Sequence, residues 1–471
     1  MADELNTPTH RYHQKQYNVK LAPNEVSKQF IYASGVQKID NSVMLPLFAL
    51  AEPGVWYDPS DLTTLFQDDL GTTPVTAPNQ SVGKMLDKSG RGNHATQTTP
   101  TQRPIYGINP ITGTRNLLTY TEQFDNAVWN KANVSISANA STAPDGSLTA
   151  DLATSSSAAG YIYPNSSIFA AAGGNTYTHS VYIKAGTATS IQLLVAAAAT
   201  YTGTYNLSTG VASTATANTT VSMVDAGGGW YRCIITCGSV ANNAYTELQM
   251  GRVANGLTFS IWGAQLELGS TATAYQKVVS QYEVTQAGVQ SASYLAFDGV
   301  DDGMVTGTIT PATNKAQMFA GVRKLSDAAF QAIAETSTVP DTSAGSVGFG
   351  AATLTGDASR RTWSFASAGT TFSLSGAGIY ASPISSVLTG IGDIATDTSI
   401  LRVNGTQVAS NTTDQGTGNY LAYPIYIGRR GGTSNSFNGR LYSLIVRFGA
   451  NLTNAQITST ESWVNSKVGA Y

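Results

Sequence analysis

Residues 294–305 read Tyr-Leu-Ala-Phe-Asp-Gly-Val-Asp-Asp-Gly-Met-Val and constrain the chain more than any other stretch. Leu295 and Phe297 alternate with smaller side chains at the two-residue period of a half-buried strand. Asp298 and Gly299 are residue types that tolerate a positive φ, so the backbone reverses there. A second short strand follows, which leaves Asp298, Asp301 and Asp302 together at one sheet rim. Two strands alone are marginal in water, so most of the chain is read as the scaffold for this element.

That scaffold has a β-protein composition. Charged residues make up 12% of the 471, about half the usual share of roughly 25%, and Gly alone counts 46. Apolar residues at 42%, with 23 Tyr, argue against disorder. The length suggests two to four domains. No apolar run of about 18 residues is present to cross a membrane as a helix. A net charge of -3 with no basic block leaves no electrostatic footprint for nucleic acid. The opening Met1-Ala-Asp-Glu-Leu lacks the basic and apolar regions of a signal peptide, so synthesis in the cytoplasm is the default expectation. Cys233 and Cys237 lie four residues apart in an alternating, strand-like run. That places their α-carbons about 13 Å apart, too far for a mutual disulfide, and no His or carboxylate stands beside them at ligand spacing.

The expected fold is all-β: two β-sandwich (jelly-roll) units, one inserted in the other, with an extended N-terminal arm and a short C-terminal helix. Residues 1–52 begin with a polar, aromatic run and end in Val43-Met-Leu-Pro-Leu-Phe-Ala-Leu. They read as an arm that docks on a larger assembly through Tyr12, His13, Tyr17, Leu45, Leu47 and Phe48, or as a flexible leader plus one strand. Short runs punctuated by Pro, Gly and Asn place one sandwich over 53–115 and 284–471. The other occupies 116–283, as an insertion at a loop. Within the first, Asn404-Gly405 is the preferred pair for a type I′ hairpin. Thr453 with Gln456 forms a capping box, opening a helix whose Ile457, Val464 and Val468 share a face.

Several words carry family resemblances. Leu86-Asp-Lys-Ser-Gly-Arg-Gly-Asn-His-Ala and Phe297-Asp-Gly-Val-Asp-Asp resemble two elements of laminin-G-like, concanavalin-type lectin sandwiches, especially the copies in bacteriophage virion proteins. Tyr423-Pro-Ile-Tyr-Ile-Gly and Phe437-Asn-Gly-Arg-Leu resemble the last third of the same family. Asn116-Leu-Leu-Thr-Tyr-Thr-Glu-Gln-Phe-Asp-Asn-Ala-Val-Trp, Gly228-Gly-Trp-Tyr-Arg-Cys and Ile261-Trp-Gly-Ala-Gln-Leu-Glu-Leu-Gly resemble a carbohydrate-binding-like jelly roll common in phage structural proteins. Together these cover roughly 350 residues, and 306–395 match only loosely.

What the resemblance implies is a virion protein, made in the host cytoplasm and carried on the particle surface. Its β-modules would attach to a host surface polysaccharide, and residues 1–52 would hold it to other virion proteins. A tail fibre is the first expectation, a head fibre or capsid decoration the second, and a polysaccharide-degrading tailspike the third. Several copies would raise avidity, most simply as a homotrimer.

Candidate site residues follow from chemistry. Exposed aromatic rings stack on the C–H faces of sugars, which nominates Trp129, Tyr161, Tyr163, Tyr201, Tyr205 and Trp230; the competing reading is that each is core. Arg429 and Arg430, beside a Gly-Gly turn, are candidates for an acidic sugar or a neighbouring subunit, or simply a solvated turn. Asp298, Asp301 and Asp302 offer hard oxygen ligands suited to Ca²⁺, unless Asp298 is spent on its own turn. No carboxylate pair, Gly-x-Ser-x-Gly or His-Glu-x-x-His word singles out a catalytic centre, so no enzyme activity and no other cofactor is expected.

Overall fold

The computed structural model of the protein describes residues 41–111, 115–157, 159–165, 175–196, 200–214, 216–238, 247–339, 343–351 and 361–471. Tyr12, His13 and Tyr17 lie outside them. The described fold is all-β, with four sheets and, among the described residues, a single α-helix, Asn454–Val468.

Two sheets of ten and nine strands enclose one apolar core. The larger runs from Gln276–Ser280 through Glu283–Gln286, Ile105–Pro110, Ser291–Asp298, Asn438–Phe448, Lys315–Lys324 and Ile384–Asp393 to the hairpin Thr398–Val403 and Thr406–Asn411, with Gly54–Tyr57 also paired to Asn438–Phe448. The smaller runs from Leu65–Phe66 to Phe372–Ala377 and carries Met304–Val305, Ile425–Ile427 and Gln331–Thr336 in its middle. Val55, Tyr57 and Leu65 therefore share a core with Leu295, Phe297, Phe349 and Leu444. Strands between Trp129 and Leu268 build two further six-stranded sheets around a second core that includes Val181, Tyr205, Cys233 and Phe259. Both cysteines are buried and free in it. Gln276–Ser280, read from sequence as the end of the insertion, pairs instead with Glu283–Gln286 and extends the ten-stranded sheet.

Local chemistry explains the two signature words. Asp87 is a buried hub: Oδ1 accepts from the backbone N–H groups of Trp56 and Ser89, both at 2.9 Å, and Oδ2 accepts from Ser89 Oγ at 2.7 Å and Asn93 N at 3.1 Å. Asn93 then donates to the Gly54 carbonyl at 2.8 Å. The turn is thus stapled to the first strand of the sandwich by charge-assisted hydrogen bonds. Gly54 is required because a Cβ there would sit 2.0 Å from the Val446 carbonyl oxygen. The second word does not form a hairpin within one sheet. Ser291–Asp298 belongs to the larger sheet and Met304–Val305 to the smaller, so the acidic turn carries the chain from one layer to the other.

The C-terminal helix has the capping box read from sequence, with Gln456 N donating to Thr453 Oγ1 and Thr453 N to Gln456 Oε1. Ile457, Trp463, Val464 and Val468 pack on Phe319, Tyr442 and Ile445 of the larger sheet. Each such buried side chain is worth about 1.5–3 kcal/mol before entropy is subtracted. Leu47 and Phe48 join the same cluster, and Arg447 ties the segment down by donating to the Leu47 carbonyl at 2.6 Å and to Glu52 at 2.8 Å. This corrects their assignment as docking residues: an apolar pair beside an open sheet face is buried by its own chain. Leu45 alone of the three stays exposed.

Candidate functional site

The outward face of one sheet of the second sandwich gathers groups that suit a polyhydroxylated ligand. Strand alternation sets its content. Ile162 points into the core, so its neighbours Tyr161 and Tyr163 point away; both are half-buried, with ring centroids 5.5 Å apart. On the neighbouring strands Gln192 lies opposite both Thr204 and Arg252, and the Arg252 guanidinium sits 6.0 Å from the Tyr161 ring centre. Thr204, Gln192, Arg252 and Tyr161 therefore form one row across the sheet.

A second row runs beside it. Leu194 lies opposite Thr202 and Gln249, and Asn130 opposite Tyr163. Because Met250 pairs with Ile162, Gln249 falls next to Tyr163. The five strands span about 20 Å at the usual interstrand spacing. A groove of about 340 Å³ opens along Ser190, Gln192, Thr204, Arg252 and Leu257, within the ordinary range for ligand sites. Gln249 is buried beneath this face, and among the described residues its Oε1 has no hydrogen-bond partner. The face thus presents ring planes, amides, hydroxyls and a guanidinium together.

The other aromatic candidates do not reach this face. Trp129 packs on Phe124 at 5.1 Å and donates from Nε1 to the Tyr120 carbonyl. Tyr205 is fully buried and its hydroxyl donates to the Ile234 carbonyl at 2.7 Å; Tyr201 belongs to the same core. Trp230 is buried with Trp262 in a smaller cluster. The first three share one cause: alternation turns Trp129, Tyr201 and Tyr205 to the inner side of the strands whose outer side carries Asn130, Thr202 and Thr204, whereas Trp230 points away from Cys233 and Ile235 and is covered with Trp262. Gln192, Thr202, Thr204, Gln249 and Arg252 were not singled out from sequence. The signal for two of them was present in Thr200-Tyr-Thr-Gly-Thr-Tyr-Asn, where threonines and tyrosines must face opposite ways.

The acidic rim belongs to the first sandwich. One ligand oxygen from each of Asp298, Asp301 and Asp302 lies within 4.8 Å of the others. Asp298 Oδ1 accepts from the backbone of Val300 at 2.7 Å and Asp301 at 3.2 Å, so part of this carboxylate closes its own turn. Asp302 is buried and accepts from Asp298 N at 3.0 Å; burial and then the charge of Asp298 push its carboxyl up to about 7. Arg429, nominated separately, lies at the same rim and donates to the Asp301 carbonyl at 3.3 Å and the Thr433 carbonyl at 3.0 Å. Arg430 is engaged by Glu335 at 3.2 Å and lies over Phe330. Arg429 therefore braces the acidic turn and Arg430 is tied to the strand Gln331–Thr336, so both are engaged within the fold, which corrects their assignment to a ligand.

A further buried titratable group, His179, faces the second core between Ile235 and Leu266 on the adjacent strands, and among the described residues neither ring nitrogen is hydrogen-bonded. Burial, and then the charge of Arg232, push it down to about 3.

No protein-family model matches the chain, and no curated protein does. Solved structures give weak likenesses. The binding domain of botulinum neurotoxin serotype D is 10% identical over 36% of this chain and 42% of that one, with a TM-score of 0.28. Less than half the length of that neurotoxin domain is therefore matched. Domain 4 of an extracellular GH43 arabinanase from Geobacillus stearothermophilus, in complex with arabinotriose, is 14% identical over 41% of this chain and 82% of its own, at 0.28. The CBM40 of a Ruminococcus gnavus IT-sialidase, bound to α2,3-sialyllactose, is 13% identical over 32% and 84%, at 0.25. These values are too low to transfer a function.

Proposed function

We propose that the protein is a non-enzymatic attachment protein of a bacteriophage particle, which holds a bacterial surface polysaccharide on the Tyr161–Tyr163 face of its second sandwich. The observation that carries the binding reading is the two-row array. Ring planes offer an apolar platform to a sugar's C–H face, while Gln192, Thr202, Thr204 and Arg252 supply hydroxyl-directed hydrogen bonds. The virion role rests on the sequence words that resemble phage structural modules. The polar, aromatic run with Tyr12, His13 and Tyr17 would carry the link to the particle, and a trimer would multiply weak single-site contacts.

The test is binding of the purified full chain to cell-surface polysaccharides from a panel of bacteria, followed over hours for new reducing ends. Retention by a defined polysaccharide without release of oligosaccharides is expected. Steady depolymerisation would replace attachment by hydrolysis, and failure to bind any polysaccharide would end the glycan reading. Antibody labelling of intact particles then separates tail from head.

A further inference from the structure

We propose that Arg115, Arg323 and Arg440 form a binding site for an oxyanion (sulfate, phosphate or carboxylate) on the outer face of the ten-stranded sheet. The site is distinct from the Tyr161–Tyr163 face. Arg440 and Arg323 are direct cross-strand partners, and Arg323 is in turn opposite Ser385. Val322 and Leu441 point into the core, so the adjacent Arg323 and Arg440 point outward on one row. Arg440 lies 4.5 Å from the Tyr294 ring centre and donates from Nη1 to Asn109 Oδ1 at 2.9 Å. That same oxygen receives the Tyr442 hydroxyl at 2.9 Å, and Arg323 Nη1 donates to Ser385 Oγ at 3.2 Å.

Arg115, on the segment that leaves this sheet for the second sandwich, lies within electrostatic reach of both Arg323 and Arg440. Its Nε and Nη1 are buried and have no hydrogen-bond partner among the described residues. Burial, with repulsion from Arg323 and Arg440, pulls its guanidinium down to about 10, and burial with repulsion from Arg440 lowers Arg323. Among the described residues none of the three has a carboxylate at ion-pair distance.

Guanidinium groups stay charged at any physiological pH, so a fold that gathers three without an acid keeps their repulsion uncompensated. An oxyanion removes that repulsion and also satisfies the unpaired Arg115 donors, in the fork geometry that suits planar guanidinium. Access is open. The C-terminal helix covers the neighbouring row, with Val464 3.2 Å from a Cβ placed on Gly321, and it ends at Gly469 against Ile111. The arginine row lies beyond that cover and is partly exposed, while the Arg115 donors lie beneath the surface.

The experiment uses the full chain at constant ionic strength. Thermal melts and calorimetric titrations are run with sodium sulfate, sodium phosphate and a uronate oligosaccharide, for the wild type, Arg115→Gln and Arg323→Gln. The expected result is a saturable rise in melting temperature and measurable heat of binding for the wild type, with at least about tenfold weaker binding in each variant. In chloride alone Arg115→Gln is expected to melt at or above the wild type, because repulsion is relieved. Binding of the inorganic ions would identify a free-anion site, and binding of the oligosaccharide alone a glycan-borne one; either supports the proposal. A non-saturable effect of sulfate, equal in the wild type and both variants, would overturn it. Absence of heat from all three probes would do the same, and neither result bears on the Tyr161 face.

Discussion

Replacing Tyr161 and Tyr163 by Ala probes the proposed face most directly, because both rings lie outside the core clusters. A fully covered aromatic side chain loses about 150–250 Å² of exposure. With each ring at most about a third exposed, a stacked sugar would cover no more than about 50–90 Å². At about 25 cal/mol per Å² that is about 1–2 kcal/mol per ring, or roughly 5–30-fold in affinity. The assay is calorimetric titration with a polysaccharide that the wild type binds, paired with a thermal melt. Each single variant should lose affinity by that factor with an almost unchanged melting temperature. Trp129→Ala is the contrast: its ring is core, so it should destabilise the fold by about 3–5 kcal/mol. If Tyr161→Ala and Tyr163→Ala bind within about twofold of the wild type, or lose stability as Trp129→Ala does, the face is not the binding surface.

Asp87→Ala strands the backbone N–H groups of Trp56, Ser89 and Asn93. It should cost about 3–6 kcal/mol in chemical denaturation, and an effect under about 1 kcal/mol would refute the hub role. His179 is neutral in the folded state down to about 3, whereas the unfolded chain takes up that proton near 6.5. Between those values the unfolded state holds more protons, so stability falls as pH falls, by about 1.4 kcal/mol per unit. His179→Leu should flatten that acid limb in urea titrations, and an unchanged limb would show that the ring is solvated. Asp302 acts in the opposite sense. Raised to about 7, it is protonated in the folded state where the unfolded carboxyl is not, so its contribution declines as pH rises from about 4 to 7. If the acidic rim takes Ca²⁺, the ion should raise the melting temperature reversibly with chelator, by the equivalent of about 2.7 kcal/mol at a hundredfold excess over its Kd. Asp301→Asn combined with Asp302→Asn should abolish the gain, and a chelator-insensitive wild type would leave the cluster a turn.

The elements read most securely from sequence were those with local causes. Asn404-Gly405 supplies the two positive φ values of its hairpin, at 51° and 75°, because no other pair accepts them so readily. The Thr453–Gln456 box and the Ile457–Val464–Val468 face predict the helix for the same reason. The acidic turn was legible as a turn but not as a crossing between layers. Residue types at Asp298 and Gly299 specify the reversal, whereas the partners of the flanking strands lie more than a hundred residues away at Leu441 and Ile427. Leu47 and Phe48 fail similarly: an apolar run at the edge of a polar segment looks the same whether its cover is another protein or the helix at the far end of this one.

Binding residues were harder still, because a face is a property of register. Trp129, Tyr201 and Tyr205 attract notice as large aromatic side chains, yet large aromatics are what cores require, and alternation assigns them inward. Arg252, Gln249 and Gln192 are individually unremarked polar residues in strands separated by up to 60 positions. They become a site only once Gln192 pairs with Arg252 and Leu194 with Gln249, across a register shift between those pairs. A one-residue slip on that strand would send Arg252 toward the core and Val253 outward. The chemistry of the face therefore depends on the irregularity in Glu247–Val253, where Gly251, at φ 66°, leaves no room for a Cβ beside the Phe259 ring 2.2 Å away. Gly251→Ala should accordingly do what no conservative change on the face would. By forcing Phe259 aside it should disturb the local register, lower stability by about 1–3 kcal/mol, and weaken glycan binding without removing any proposed contact. Full stability together with full affinity in that variant would show that the face does not depend on this irregularity.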